Sequence, residues 1–147
     1  EPVQLSILGH QSMPMSFYRE QCPNFKYFHT RTNQKVQQVM NEHDALVLPS
    51  IVEGRALVQQ EALACGIPLI ITPNAGGKDL IKEGITGYVV PIRSPKMIAE
   101  KIMSLHDSNI SKLDRGIICQ KKAQEFTWNA YAQKIIDFNF SPKDCIN

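Results

Sequence analysis

The runs Ala45-Leu-Val-Leu48 and Leu69-Ile-Ile71 are apolar at every consecutive position. Side chains of a strand point alternately to the two faces of its sheet, so a run without alternation needs apolar cover on both. Helices supply that cover when the strands are parallel and joined by crossovers. The rest of the chain keeps the matching rhythm of short apolar runs and longer amphipathic stretches. Strands are expected at residues 3–8, 25–28, 44–48, 68–72 and 87–90, the third stopped by Pro49-Ser50 and the last by Pro91. Helices are expected at residues 15–20, 34–42, 57–64, 78–82 and 95–106. Beyond the last strand, residues 110–125 and 128–138 read as two consecutive helices. Ile98, Ile102 and Leu105 recur at helical spacing as a core-facing stripe, and Trp128, Tyr131, Ile135 and Phe138 as a packing face. The expected class is α/β: a Rossmann-like parallel sheet with helices on both faces, ending in two consecutive helices, in one domain over residues 1–147.

Composition narrows the function. A formal net charge of +2 over 147 residues argues against a nucleic-acid partner. No apolar run approaches the roughly 20 residues of a membrane span, and the first residues lack the basic and apolar regions of a signal peptide. Cys22, Cys65, Cys119 and Cys145 show no metal-ligand spacing, and His10, His29, His43 and His106 are scattered. No bound metal is expected, and reduced thiols in the cytoplasm are the default.

The stretch from Leu48 to Pro68 carries the chemistry. A strand ends at Pro49-Ser50, a loop holds Glu53-Gly54, and a helix starts near Leu57 and ends at Gly66. In an open parallel sheet, ligands sit outside the carboxyl ends of the strands. The backbone N–H groups of Arg55, Ala56, Leu57 and Val58 are expected to face that space and to suit a phosphate there. Two acids flank it. Glu61 suits a neutral diol such as a ribose, and Glu53 the hydroxyls of whatever the phosphates carry. The same acids also fit a plain helix start, with Glu53 as a dipole partner and Glu61 solvated, and spacing alone does not choose. The pair Gly76-Gly77 reads as a tight strand-to-helix turn, with Lys78 solvated.

The segment resembles the Glu-x7-Glu signature of the retaining glycosyltransferases of family 4, which have the GT-B fold. Asp44-Ala-Leu-Val-Leu-Pro-Ser50 is similar to the family's aDvfvlPS strand, and Glu61-Ala-Leu-Ala-Cys-Gly-Ile-Pro68 to its EAmAcGxPV helix and turn. Thr72-Pro-Asn-Ala-Gly-Gly77 with Asp79-Leu-Ile and Glu83-Gly84 is similar to TxxGGxxExIxxG, Thr86-Gly-Tyr-Val-Val-Pro91 to xGxLVP, and Phe126-Thr-Trp128 to FsW. The ordered set covers nearly the whole chain.

The resemblance implies a nucleotide-sugar donor. Glu61 would bind the ribose hydroxyls, Glu53 the donor sugar as the catalytic carboxylate, and the backbone of residues 54–58 the diphosphate. The loop His29-Thr30-Arg31-Thr32 would lie beside the base, with Thr30 and Arg31 as donor contacts. His29 stands where the family has Gly, and Arg55-Ala56 replace its common Phe-Gly. The implied reaction is metal-independent, retaining transfer of a hexose to a glycan or lipid acceptor, without a cofactor. Donors aimed at the departing nucleoside diphosphate (UDP or GDP) would stabilise its charge, and no Asp-x-Asp pair is present to hold a divalent ion.

In that family an acceptor domain and a first strand and helix with a basic Gly-Arg…Lys element precede the part matched here. The chain, which starts without Met, is accordingly expected to be a piece of a longer protein and inactive alone. In the strand order 3-2-1-4-5-6 the missing strand is central. The strand at residues 3–8 should therefore not pair with those at 44–48 or 68–72, and bare sheet edges would invite association. Any membrane contact would run through the missing half. Alternatives are a non-catalytic nucleotide-sugar-binding module and, more weakly, a sugar-nucleotide 2-epimerase, which carries a Ser-Gly-Gly-x-x-Glu style loop where Ile51-Val-Glu-Gly54 stands.

Overall fold

The computed structural model describes residues 3–29 and 32–139. The chain divides into two compact units at Gln38/Val39.

The first unit is a β-α-β crossover leading into a helix: β1 (Ser6–Leu8), α1 (Met15–Gln21), β2 (Lys26–Phe28) and the start of α2 (Asn33–Asn41). β1 and β2 pair in parallel, with Ser6 opposite Lys26 and Leu8 opposite Phe28. Arg19 closes the crossover. Its guanidinium donates to the carbonyls of Pro23 (2.7 Å) and Phe25 (3.0 Å) and lies 4.4 Å over the buried Phe25 ring. The Tyr18 hydroxyl accepts from the amides of Ser12 and Met13 and pins the loop after β1.

The second unit holds β3 (Leu46–Leu48), α3 (Val58–Ala64), β4 (Leu69–Ile71), β5 (Gly87–Val89), α4 (Pro95–His106), α5 (Lys112–Gln124) and α6 (Trp128–Asn139). The three strands form a parallel sheet in the order β3-β4-β5, with Leu48 opposite Ile71 and Ile71 opposite Val89. Central β4 explains its unbroken apolar run, since Leu69, Ile70 and Ile71 are all 0% exposed. β3 has the same kind of sequence but pairs on one side only and is half-buried.

α3 ends at a turn where Gly66 has φ +79°, and its backbone meets that of Gly116 on α5 so closely that an added Cβ would stand 3.1 Å from the Gly116 Cα. One residue earlier, the buried Arg115 guanidinium donates to the carbonyls of Gly84 (3.1 Å) and Ile85 (3.2 Å), tying α5 to the turn before β5. Ser111 caps α5, its Oγ accepting from the Asp114 amide at 3.1 Å.

One expectation needs correction. The helix at residues 78–82 is a single 3-10 turn, Lys78–Leu80. The Leu80 carbonyl and the Lys82 amide, which a longer helix would use, are both taken by the buried Thr86 hydroxyl. The aromatic face of α6 is exposed among the described residues, with Trp128 79% and Phe138 84% exposed and Trp128 edge-on to Tyr131. Ile98, Ile102 and Leu105 form the half-buried side of α4, opposite the exposed Lys96, Ala99, Glu100 and Met103, as their spacing predicts.

Backbone handedness gives two opposite tests by thermal unfolding. Gly66→Ala puts a Cβ on a left-handed residue and against Gly116, and should lower stability by about 2 kcal/mol. Arg93, in the turn after β5, holds φ 55° without being glycine, and Arg93→Gly should raise stability by up to about 1 kcal/mol, strain relief outweighing the freer unfolded chain.

Candidate functional site

In a parallel sheet every strand ends at the same edge, so the loops after β3 and β4 leave side by side. They are tied together repeatedly. The Thr72 hydroxyl donates to the Ser50 carbonyl, and the Asn74 amide to the Ile51 carbonyl. Arg55 pairs with Asp79 at 2.9 Å. Gly76 has φ +68°, and a Cβ there would stand 2.5 Å from the Gly54 carbonyl oxygen, so the two backbones touch. Gln59, at the start of α3, donates from Nε2 to the Ala75 carbonyl at 2.6 Å.

This bracing fixes residues 49–57 as an ordered loop that still presents its backbone. The α3 hydrogen bonds begin with Gln59 N–H to the Ala56 carbonyl (3.2 Å) and Glu61 N–H to the Leu57 carbonyl (3.1 Å). Among the described residues the amides of Arg55, Ala56, Leu57 and Val58 donate to no protein group. Leu57 is the N-cap and its side chain makes no capping bond, so α3 begins one residue later than its sequence suggests.

Glu53 is exposed, and its Oε2 accepts from the Ser50 hydroxyl at 3.1 Å. Gly54 is exposed beside it, Ala56 and Val58 are half-buried, and Leu57 is exposed. Glu61 is half-buried on the first turn of α3 and makes no ion pair or hydrogen bond through its carboxylate among the described residues. Cys65 follows it by one helical turn. Its thiol is pushed above the ordinary value by burial first, and then by the Glu61 carboxylate.

Arg55 does not project freely. Its side chain is 37% exposed, held by Asp79 and lying 4.8 Å from the Phe126 ring centre. Lys122 and Lys134 approach the same ring at 5.2 and 5.9 Å, and Lys122 is paired with Glu125.

In the first unit, His29 is exposed, with its ring edge-on to Tyr27 at 4.8 Å. The Tyr27 hydroxyl donates to the Gly9 carbonyl at 2.7 Å. Thr30 and Arg31 lie outside the described residues. The other histidines are engaged locally or exposed: His43 Nδ1 is 2.6 Å from the Val39 carbonyl and His106 pairs with Asp107. Among the described residues no three His, Cys, Asp or Glu side chains gather as a metal group would require.

The loop therefore brings Glu53 and four unclaimed amides together, with Glu61 on the helix that follows. Amides suit an anion and carboxylates suit hydroxyls. Thr72, Asn74 and Asp79, which brace this arrangement, lie in the stretch similar to TxxGGxxExIxxG, where no bracing role was read for them, and Gln59 was not singled out from sequence. Their one legible signal was Gly76-Gly77, which marks a close approach without saying to what.

The model of the family described as glycosyl transferases group 1 matches residues 5–133. The D-inositol 3-phosphate glycosyltransferase of Corynebacterium diphtheriae is 28% identical over 110 residues, which are 75% of this chain and 26% of that protein. The chain thus spans about a quarter of the length of this curated relative. Among solved structures, the sucrose-phosphate synthase of Thermosynechococcus elongatus superposes with a TM-score of 0.77 at 20% identity, over 93% of this chain and 38% of that one. Anabaena HepE in complex with UDP-glucose superposes with a TM-score of 0.73 at 18% identity, over 94% and 41%. These likenesses establish the α/β fold as that of the GT-B glycosyltransferases.

Cys65 reports on Glu61. Removing the carboxylate removes the repulsion of the thiolate, so Glu61→Gln should lower the Cys65 pKa. The pH profile of iodoacetamide labelling at Cys65, followed by mass spectrometry, should move to lower pH.

Proposed function

This chain belongs to the group 1 glycosyltransferases, and from that premise we propose that it is the donor-binding domain of a longer enzyme using a nucleoside-diphosphate hexose. The unclaimed amides of residues 55–58, with Glu53 before them and Glu61 after, carry the reading. The amides hold the diphosphate, and Gly54 lets it approach the backbone. Glu61 accepts hydroxyl hydrogen bonds from the ribose, and Glu53 faces the sugar. HepE, of the same fold, was solved with UDP-glucose, which supports UDP as one candidate nucleotide beside GDP.

The chemistry follows from where charge appears. As the anomeric C–O bond breaks, the sugar gains oxocarbenium character and the departing diphosphate gains negative charge. Fixed N–H donors stabilise that charge without reorganising, and a carboxylate at Glu53 stabilises the sugar on the other side. We place Arg55 among the donor contacts through its backbone amide, since its guanidinium is held by Asp79 and Phe126. Thr30 and Arg31 are proposed to border the base. In this reading the transfer is retaining and metal-independent, the acceptor is a glycan or lipid bound by a part of the protein beyond these residues, and the enzyme works in the cytoplasm. These 147 residues alone bind the donor without turning it over.

Calorimetric titration of the full-length protein with UDP- and GDP-sugars tests this. Glu61→Ala should weaken donor binding at least about tenfold, the size of a lost charge-assisted hydrogen bond. Glu53→Gln should leave affinity within about threefold and reduce transfer by at least about a hundredfold, as expected of a group acting on the transition state. Absence of nucleotide-sugar affinity, or a Glu61→Ala protein that binds like wild type, overturns the reading. Tight binding with no turnover on any acceptor supports a non-catalytic module instead.

A further inference from the structure

Gln59 is a fully buried polar side chain, 0% exposed, at the second residue of α3. Its Nε2 makes the bond to the Ala75 carbonyl. Its Oε1, equally buried, accepts no hydrogen bond among the described residues. That oxygen packs instead against Gly77, where an added Cβ would come within 1.8 Å of it. A buried acceptor without a donor opposes folding. The carboxamide is therefore a poor choice for stability alone, and what it holds explains it better.

It holds a turn, and the turn holds the loop. Next to Ala75, Gly76 lies against the Gly54 carbonyl. On the other side of Ala75, Asn74 donates to the Ile51 carbonyl. A continuous line of contacts thus runs from the Gln59 amide through Ala75 and Gly76 to Gly54, adjacent to both Glu53 and Arg55. Gln59 and Glu61, two residues apart on a helix, point roughly 200° from one another. The line reaches the Gly54 end of the site and leaves the Glu61 end alone.

We propose that Gln59 is a positioning residue for the loop that receives the diphosphate and sugar: through Ala75 and Gly76 it sets where Gly54 and the unclaimed amides after it stand. This rests on the donor-site reading above. The role is specific to one end of the ligand, which separates it from general support of the fold.

The test uses the full-length protein, with UDP-glucose and GDP-glucose as probes and the matching nucleoside read by competition. In Gln59→Met, which keeps the length and removes the amide, affinity for the sugar nucleotide should fall about tenfold, the scale of a misplaced binding group. Nucleoside affinity should stay within about twofold on the same scale. Unchanged sugar-nucleotide affinity overturns the proposal, and so does an equal loss for both ligands, which a merely structural role would give. If Gln59→Met does not fold, Asn74→Ala, an exposed change on the same turn, decides by the same two affinities. A wild-type protein that binds neither sugar nucleotide sinks the donor site itself, an outcome distinct from binding that ignores position 59.

Discussion

Burial of β4 on both faces is the constraint from which the rest of the second unit follows. Leu69, Ile70 and Ile71 are entirely withdrawn from water, and each such side chain contributes roughly 1.5–3 kcal/mol of hydrophobic stabilisation. That gain requires apolar cover above and below the sheet and a strand on either side, which β3 and β5 provide. Parallel pairing then places the ends of β3 and β4 together, and the loops that leave there can only be neighbours. The ties from Thr72, Asn74, Asp79 and Gln59 act on an adjacency that the sheet has already imposed.

The bracing allows the loop to be both ordered and unsatisfied. A peptide amide with no partner is normally accommodated by motion toward water or by local helix formation. Here side chains of a second loop hold the carbonyls of Ser50 and Ile51 and its Gly76 backbone packs against that of Gly54, while the N–H groups of residues 55–58 are left unclaimed. Polarity is thereby sorted along the loop: acceptors face the protein and donors are left unclaimed. For the diphosphate proposed above this amounts to preorganisation, since a braced loop has little conformational freedom left to lose. Arg55 is drawn into the same bracing by Asp79 and Phe126, which joins the loop to the turn between α5 and α6.

The alternation of elements was legible because hydrophobic period and punctuation agree. The Pro at residues 49, 91 and 95 and the Gly at residues 9 and 66 bound strands and helices close to where they are found, and α4 occupies the same residues expected of it. Failures arose where a side chain competes with the backbone. Thr86 removes the bonds a helix at residues 78–82 would need, and nothing in a local window reveals a hydroxyl arriving from residue 86. Likewise the spacing of Trp128, Tyr131, Ile135 and Phe138 specifies a face without specifying what covers it, and among the described residues it is exposed. Glu53 and Glu61 were singled out through the Glu-x7-Glu resemblance, since their spacing alone fitted a plain helix start equally well. Gln59 was not, because a glutamine in a short helix looks like surface until its partner Ala75, sixteen residues away, is known.

The contact between Gln59 and Gly77 has an evolutionary consequence. A side chain at residue 77 would fall on the far end of the Gln59 side chain, so it has to displace the carboxamide that bonds Ala75. Substitutions at the two sites should be epistatic, with a larger residue at one accessible only after a smaller one at the other.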